Sequence, residues 1–302
     1  MKQISDGIYQ LVTPFPEFKQ AEALQYRHDL ELQPRVMRSL PYVLPYLVKS
    51  GGDALLVDCG WDTDEAHAAL QSELHHAGCS IADVSQVLIT HGHPDHGGMA
   101  GRLQQVHGSK VLIHEKDVAS SHAFADRQGH DLDELRVFLE TNGLTPADAK
   151  SFLAQELPFR RFVADFEPDR TLQGGEELVV GDYVFEVVWT PGHTPGHVCL
   201  YEKNRKILMT GDHVLPTITP NVSLERRAAG NPLATYIESL AKIDALDVEV
   251  MLPAHEWDID WFKRRIAEIL AHHDERLEHM MEAVGNTNAS AVDVARRVTW
   301  TT

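Results

Sequence analysis

Residues 89–101 read ITHGHPDHGGMAG, which places His91, His93, Asp95 and His96 within six positions and sets glycines among and after them. Neutral imidazole with carboxylate is the ligand mix favoured by Zn2+ and its first-row neighbours. In an extended segment residues two apart face the same way, so His91 and His93 can grip one ion. Asp95 and His96 follow where the next helix begins and can address a second. A solvated loop also collects His, Asp and Gly, so this stretch alone does not decide between a site and a surface turn.

Three further segments share its character. TPGHTPGH (190–197) follows the apolar run YVFEVVW, TGDH (210–213) follows KILM, and PAHE (253–256) follows VEVML. Each offers His or Asp at the end of a β-rich run, and groups at strand ends can converge on one surface although distant in sequence. Each of these segments therefore offers candidates for one shared site. The remaining histidines at 67, 75, 76, 107, 114, 122, 130, 272, 273 and 279 read as surface or core residues.

The elements that must position these residues follow a βαβ-like rhythm. DGIYQLV reads as a strand, and YLVKSGGDALLVDCG as two strands around Gly51-Gly52. DEAHAALQSELHHAG has helical spacing, VSQVLIT is a buried strand, GMAGRLQQVHG a helix and KVLIHE a strand. Residues 15–40 form a polar arm with no assignable element. Strands resume in EELVVGDYVFEVVWT, HVCLYEKNRKILMTGD and VEVMLPAH, the last after the helix PLATYIESLAKIDAL. Residues 115–170 interrupt the rhythm with two amphipathic helices, the second opened by Thr145 as a cap before Pro146. A charged helical tail runs from about Trp261. The expected organisation is one domain over 1–262, with the helical insert inside it, and a helical extension over 263–302.

Composition bounds the partners. Twenty-seven basic residues stand against 45 acidic ones, a formal charge of −18. Such a surface repels a phosphate backbone, so nucleic acid is disfavoured. The basic clusters, Arg160-Arg161, Arg226-Arg227 and Lys263-Arg264-Arg265, read as solvated faces. No apolar run reaches the length of a membrane span, and the amino terminus lacks the pattern of a secretory signal. Three scattered cysteines, Cys59, Cys79 and Cys199, suit free thiols in a reducing cytoplasm. Assembly into an oligomer is left open.

H-x-H-x-D-H, then P-G-H-T-x-G-H, then G-D, then P-x-H is similar to the motif series of the metallo-β-lactamase-fold hydrolases, and the resemblance spans roughly residues 4–260. It implies an α/β fold, specifically an αββα sandwich with a dinuclear metal site at the sheet edges. His91, His93 and His193 would hold the first ion, Asp95, His96 and His255 the second, and Asp212 would bridge them. The metals implied are two divalent ions, Zn2+ by default, with Fe or Mn as alternatives. Asp58 resembles the family aspartate that orients a ligand histidine, and His197 either does similar work or fills the core.

Two ions about 3.5–4 Å apart can activate a water as hydroxide nucleophile and polarise a carbonyl or phosphoryl oxygen. In that scheme Asp95 orients the nucleophile and passes its proton to the leaving group. True β-lactamases of this fold usually carry Cys or Ser near the position of Asp212. The aspartate instead matches thioester hydrolases such as hydroxyacylglutathione hydrolase, along with lactonases and some phosphodiesterases. A small-molecule acyl substrate is therefore expected. The phenylalanines of FLAQELPFRRFVADF (Phe152, Phe159, Phe162, Phe166) suit either an acyl-binding lid over the metals or simple docking of the insert. The loop VLPTITPNVSLERR after Asp212 is the other cleft wall. Alternatives from other classes are a phosphodiesterase or endoribonuclease, a mononuclear iron persulfide dioxygenase using His91, His193 and Asp212, and a catalytically silent acyl-metabolite sensor.

Overall fold

The computed structural model describes residues 1–16, 41–224, 230–285 and 288–299. From position 17 onward the polar arm lies outside the described residues, as do Arg226 and Arg227 at the end of the loop after Asp212. Strands β1 (Lys2–Ser5) and β2 (Ile8–Gln10) precede a two-stranded ribbon of β3 (Thr13–Pro14) and β4 (Tyr42–Val43). Strands β5 (Tyr46–Ser50) and β6 (Asp53–Val57) form a hairpin with Ser50 opposite Asp53. Its loop is Gly51-Gly52, with φ of 62° and 93°, the positive pair that a two-residue turn of this hand requires.

Helix α1 (Asp64–His76) then crosses to β7 (Gln86–Ile89), and β8 (Lys110–His114) follows. The insert holds α2 (Val118–Ala125), α3 (Leu132–Thr141) and α4 (Pro146–Glu156) before β9 (Arg170–Leu172). The second half contributes β10 (Glu177–Val180), β11 (Tyr183–Trp189), β12 (Val198–Glu202), β13 (Ile207–Gly211), α5 (Pro232–Asp244) and β14 (Val250–Pro253). The tail is α6 (Phe262–Val284) and α7 (Ala291–Arg297).

Two mixed sheets result, ordered β1-β2-β5-β6-β7-β8-β9 and β10-β11-β12-β13-β14. Side-chain alternation along each strand builds the layers. Leu55, Val57, Leu88, Leu112 and Leu172 of the first sheet meet Phe185, Val187, Leu200, Met209 and Leu252 of the second. Leu56, Val87, Ile89, Val111 and Ile113 face the other way, onto Ala66, Leu70 and Leu74 of α1. Cys199, Tyr201, Leu208 and Met251 likewise pack on Tyr236, Leu240 and Ile243 of α5 and on Ile266 and Ile269 of α6. Helices therefore cover both outer faces, the expected αββα sandwich.

Local chemistry fixes the helix starts. Thr145 Oγ1 accepts the Asp148 N–H ahead of Pro146-led α4, as the sequence predicts, and Thr63 Oγ1 accepts the Ala66 N–H ahead of α1, a cap that the sequence reading did not name. Three features depart from the sequence reading. The helix expected at 98–108 is an α turn, Ala100–Arg102, that widens into a π-helical segment, Leu103–His107. The short edge strands β1 and β9 carry too few residues to show alternation. Helix α2, VASSHAFA, buries only Ser121 and so has no apolar stripe to read. Among the described residues no helix is long and apolar enough to cross a membrane.

Candidate metal centre

Strands β7, β11, β13 and β14 end at one edge of the sandwich, and each is followed by one of the four motif loops. A backbone hydrogen bond from Val198 N–H to Thr90 C=O (2.9 Å) and another from Ala254 N–H to Gly211 C=O (3.1 Å) stitch these loops together. His93 precedes a single helical turn, Pro94–Gly97, which carries Asp95 and His96, and the His96 ring comes to 4.0 Å from the His91 ring, centroid to centroid.

The seven candidate residues come together in two groups. His91 Nε2, His93 Nδ1 and His193 Nε2 lie 2.9, 3.2 and 3.0 Å from one another. In the second group His255 Nε2 lies 3.4 Å from both Asp95 Oδ2 and Asp212 Oδ1, and His96 Nε2 lies 3.7 and 3.5 Å from the same two oxygens. Asp212 reaches both groups, since its Oδ2 is 3.7 Å from His193 Nε2. His91, His96, His193, Asp212 and His255 are all buried.

The hydrogen bonds behind these atoms decide what they can do. His91 Nδ1 lies 3.1 Å from Thr90 Oγ1, which itself donates to Asp58 Oδ2 at 2.9 Å. That hydroxyl must therefore accept from His91. His96 Nδ1 donates to Asp58 Oδ2 (2.8 Å), His193 Nδ1 to the Asn221 carbonyl (2.6 Å) and His255 Nδ1 to the Tyr42 carbonyl (3.2 Å). With Nδ1–H turned outward, the neutral form of each of these four rings points an Nε2 lone pair at the centre. Lone pairs about 3 Å apart repel unless a cation lies among them. The spacing is close to the roughly 3.3 Å that separates nitrogens around a tetrahedral zinc. His96 Nε2 and Asp212 Oδ1 are buried and lack hydrogen-bond partners, a cost that a bound cation would remove. The donor set therefore fits divalent metal.

Electrostatics separates the groups. Burial, then the neighbouring imidazoles, drives His91 far below the usual histidine range, and burial brings His93 to about 3. Burial also pulls on His96, but the carboxylates of Asp212, Asp95 and Asp58 outweigh it and hold that ring well above its usual range. His255 is raised in the same way by Asp212 and Asp95. Against burial, His96 and His255 hold Asp95 down to about 2.

His197 lies outside both groups. Its Nδ1 is 2.8 Å from Thr190 Oγ1, and its Nε2 accepts the Asp212 N–H at 3.2 Å. It holds the backbone of Asp212 and fills the space beneath His91, with ring centroids 5.2 Å apart.

Several residues at this edge are absent from the sequence reading. Thr90 links His91 to Asp58, and the carbonyls of Asn221 and Tyr42 fix two tautomers; a backbone carbonyl carries no sequence signal. His213 is buried between His197 and Tyr236, and burial brings its pKa down to about 3. Asp117 lies buried against both histidine loops. Two basic clusters also depart from expectation. Arg160 is buried, paired with Asp131 at 2.7 Å and donating to the carbonyls of Ala123 and Asp126. Arg265 is buried and donates to the carbonyls of Leu215, Thr217 and Ile218. Clustering in sequence gave no hint that one arginine of each cluster turns inward to satisfy backbone carbonyls.

The insert touches the centre through Phe124, whose ring stands edge-on to His93 at 6.0 Å. Phe166 is buried in the core beneath α1, so it docks the insert. Phe159 and Phe162 pack on Trp61, which contacts Phe15, and Phe15 in turn meets the His255 ring at 6.0 Å. Phe152 is exposed on α4.

An αββα sandwich that gathers histidines and aspartates at the strand ends of one edge has the architecture of a metal-dependent hydrolase. The chain belongs to the metallo-beta-lactamase superfamily, whose sequence profile matches residues 40–255. It is 29% identical over 226 residues to the probable metallo-hydrolase YqjP of Bacillus subtilis, covering 70% of this chain and 66% of that protein. It is 30% identical over 161 residues to the hydroxyacylglutathione hydrolase GloC of Haemophilus influenzae, covering 50% and 63%. The chain thus spans just under two-thirds of the length of either. A metallo-beta-lactamase family protein of Thermus thermophilus, TTHA1429, superposes with a TM-score of 0.79 at 28% identity, over 97% of this chain and 87% of that one.

Proposed function

We propose that the chain hydrolyses the carbonyl of a small ester, thioester or lactone, using two divalent ions, by default Zn2+. His91, His93 and His193 would hold one ion, Asp95, His96 and His255 the other, and Asp212 would serve both. The observation that carries this reading is Asp212, whose two oxygens face different groups, Oδ2 toward His193 and Oδ1 toward His96 and His255. When bound, such ions supply Lewis-acid activation of water and of the carbonyl oxygen.

The remaining steps belong to the chain. Asp95, held ionised by His96 and His255, accepts the proton of the attacking water and delivers it to the leaving group. Asp58 and Thr90 keep His96 and His91 in the tautomer that presents Nε2. His197 holds the Asp212 backbone so that its carboxylate faces both groups. Phe124 beside His93, and Phe15 beside His255 with Trp61 packed behind it, give the centre apolar walls that exclude water and receive an acyl substituent.

The name of the Haemophilus relative supports an acyl thioester as substrate, and the acidic surface of this chain favours a small molecule over RNA. A cytoplasmic setting belongs to the same proposal, on the strength of three free, buried cysteines. The test is turnover of metal-replete protein against thioesters, lactones, phosphodiesters and a lactam, with metal content measured in parallel. Thioester or lactone turnover that is lost on chelation is the expected result. One iron per chain with oxygen uptake, or turnover of phosphodiesters alone, would overturn it.

A further inference from the structure

We propose that Asp117 is a positioning residue that sets the geometry of the first histidine group by clamping together the two loops that supply it. The inference rests on the reading in which His91, His93 and His193 hold an ion.

Asp117 follows β8 at the start of the insert and is fully buried. Its Oδ2 accepts the Gly92 N–H at 2.8 Å and the Thr194 hydroxyl at 2.6 Å, and its Oδ1 accepts the Gly196 N–H at 2.5 Å. Gly92 separates His91 from His93, and Thr194 follows His193. One carboxylate thus joins two loops a hundred residues apart, at the positions that fix where three imidazoles point. Bonds of this kind to a buried carboxylate are short and strong.

The glycines of both motifs lie close against this segment, Gly196 under the Asp117 carboxylate and Gly92 under its main-chain oxygen and Ser121 Oγ. A Cβ on Gly92 would come within 3.0 Å of the Asp117 carbonyl oxygen and 3.4 Å of its Cβ. A Cβ on Gly196 would fall 2.6 Å from Oδ1 and 2.7 Å from Cγ. H-G-H and T-P-G-H therefore carry glycine where this segment must come against the backbone. A segment that only anchored the insert would not need both loops to give way to it.

The test is cobalt uptake by metal-free protein, followed by visible absorption, which reports coordination geometry, and by chelator competition, alongside the melting temperature of the metal-free form. Thr194→Val removes one donor at nearly constant volume, Thr194→Ser keeps it, and Asp117→Asn removes the charge. The expected result is parental affinity and spectrum in Thr194→Ser. Thr194→Val and Asp117→Asn should lose about 10–100-fold in affinity for one ion, as supporting bonds to metal ligands typically do, with an altered spectrum. If Asp117→Asn does not fold, the two Thr194 variants carry the comparison alone. Parental affinity and spectrum in Thr194→Val would overturn the inference while leaving the ligand assignment standing. Failure of the parent protein to bind cobalt would bring down both.

Discussion

Asp58 Oδ2 accepts the Nδ1–H of His96 at 2.8 Å, while the same carboxylate takes both the N–H and the hydroxyl of Thr90. One buried side chain, held at a positive φ of 60°, therefore orients His96 directly and His91 through Thr90. Asp58→Ala is expected to weaken metal binding by about 10–100-fold. It should also cost about 1–3 kcal/mol of stability, because the buried Thr90 N–H loses its acceptor. Metal titration and thermal melting separate the two effects; a melting change with an unaltered titration would make Asp58 structural only.

Metal content gives a second prediction. About two ions per chain should be found, and chelation should remove them together with activity. His93→Ala leaves the first group with two imidazoles, and few three-ligand sites tolerate that loss. Elemental analysis of the purified variant should show one ion fewer than the parent; full loading and full activity would contradict the assignment.

The two groups should answer differently to pH. In the metal-free protein His91 and His93 are neutral at pH 7, so those two ligands give up no protons when the first ion enters. His96 and His255 are both raised by their carboxylates, so the second ion has to compete with protons at those two rings. Affinity for the second ion should fall more steeply than that for the first as pH drops from 8 to 6. A raised histidine adds stability below its unfolded pKa near 6.5 and loses it as pH climbs through the folded value. The protons on His96 and His255 should therefore steady the metal-free fold most at mildly acid pH, with that contribution fading on the alkaline side. Calorimetric titration in buffers of differing ionisation heat counts the protons released at each step, and equal release at both steps would refute this.

Phe124, near His93, should act on substrate choice rather than on chemistry. Phe124→Ala is expected to raise KM for a long-chain acyl thioester more than for a short one, at constant metal content. An equal response to both would show that the ring only packs the insert. Removing the whole insert is a poorer test. Phe166 belongs to the main core, and the Phe162 carbonyl and Ala164 N–H bond to Asp62 and Gly98 of the main domain.

Arg265 gives the carboxyl-terminal extension a part in the site. From α6 it holds the carbonyls of Leu215, Thr217 and Ile218, in the loop that continues to the Asn221 carbonyl behind His193. Arg265→Met should destabilise the protein by a few kcal/mol, since hydrogen bonds from a charged donor are worth about 1.5–3 kcal/mol each and do not add fully. It should also lower metal affinity at the first group. Denaturant melts and cobalt titration check the two effects, and a stability loss with unchanged titration would confine Arg265 to folding.

The strands and the His- and Asp-bearing loops that follow them were legible in the sequence because each is a local signal, whereas the αββα layering and the choice of seven ligands followed from the resemblance of the motif series to a known family. A strand shows its two faces as alternation, and a motif of His, Asp and Gly spans a few residues, so neither needs knowledge of the rest of the chain. The tertiary structure decided what those signals could not carry. Asp117, Arg265 and the carbonyls of Asn221 and Tyr42 act through partners far away in sequence, and a single buried Asp or Arg reads like a surface charge until its acceptors and donors are placed. The aromatics divide for the same reason. Phe166 and Phe124 belong to the same insert, yet packing alone sends one into the core and brings the other against His93.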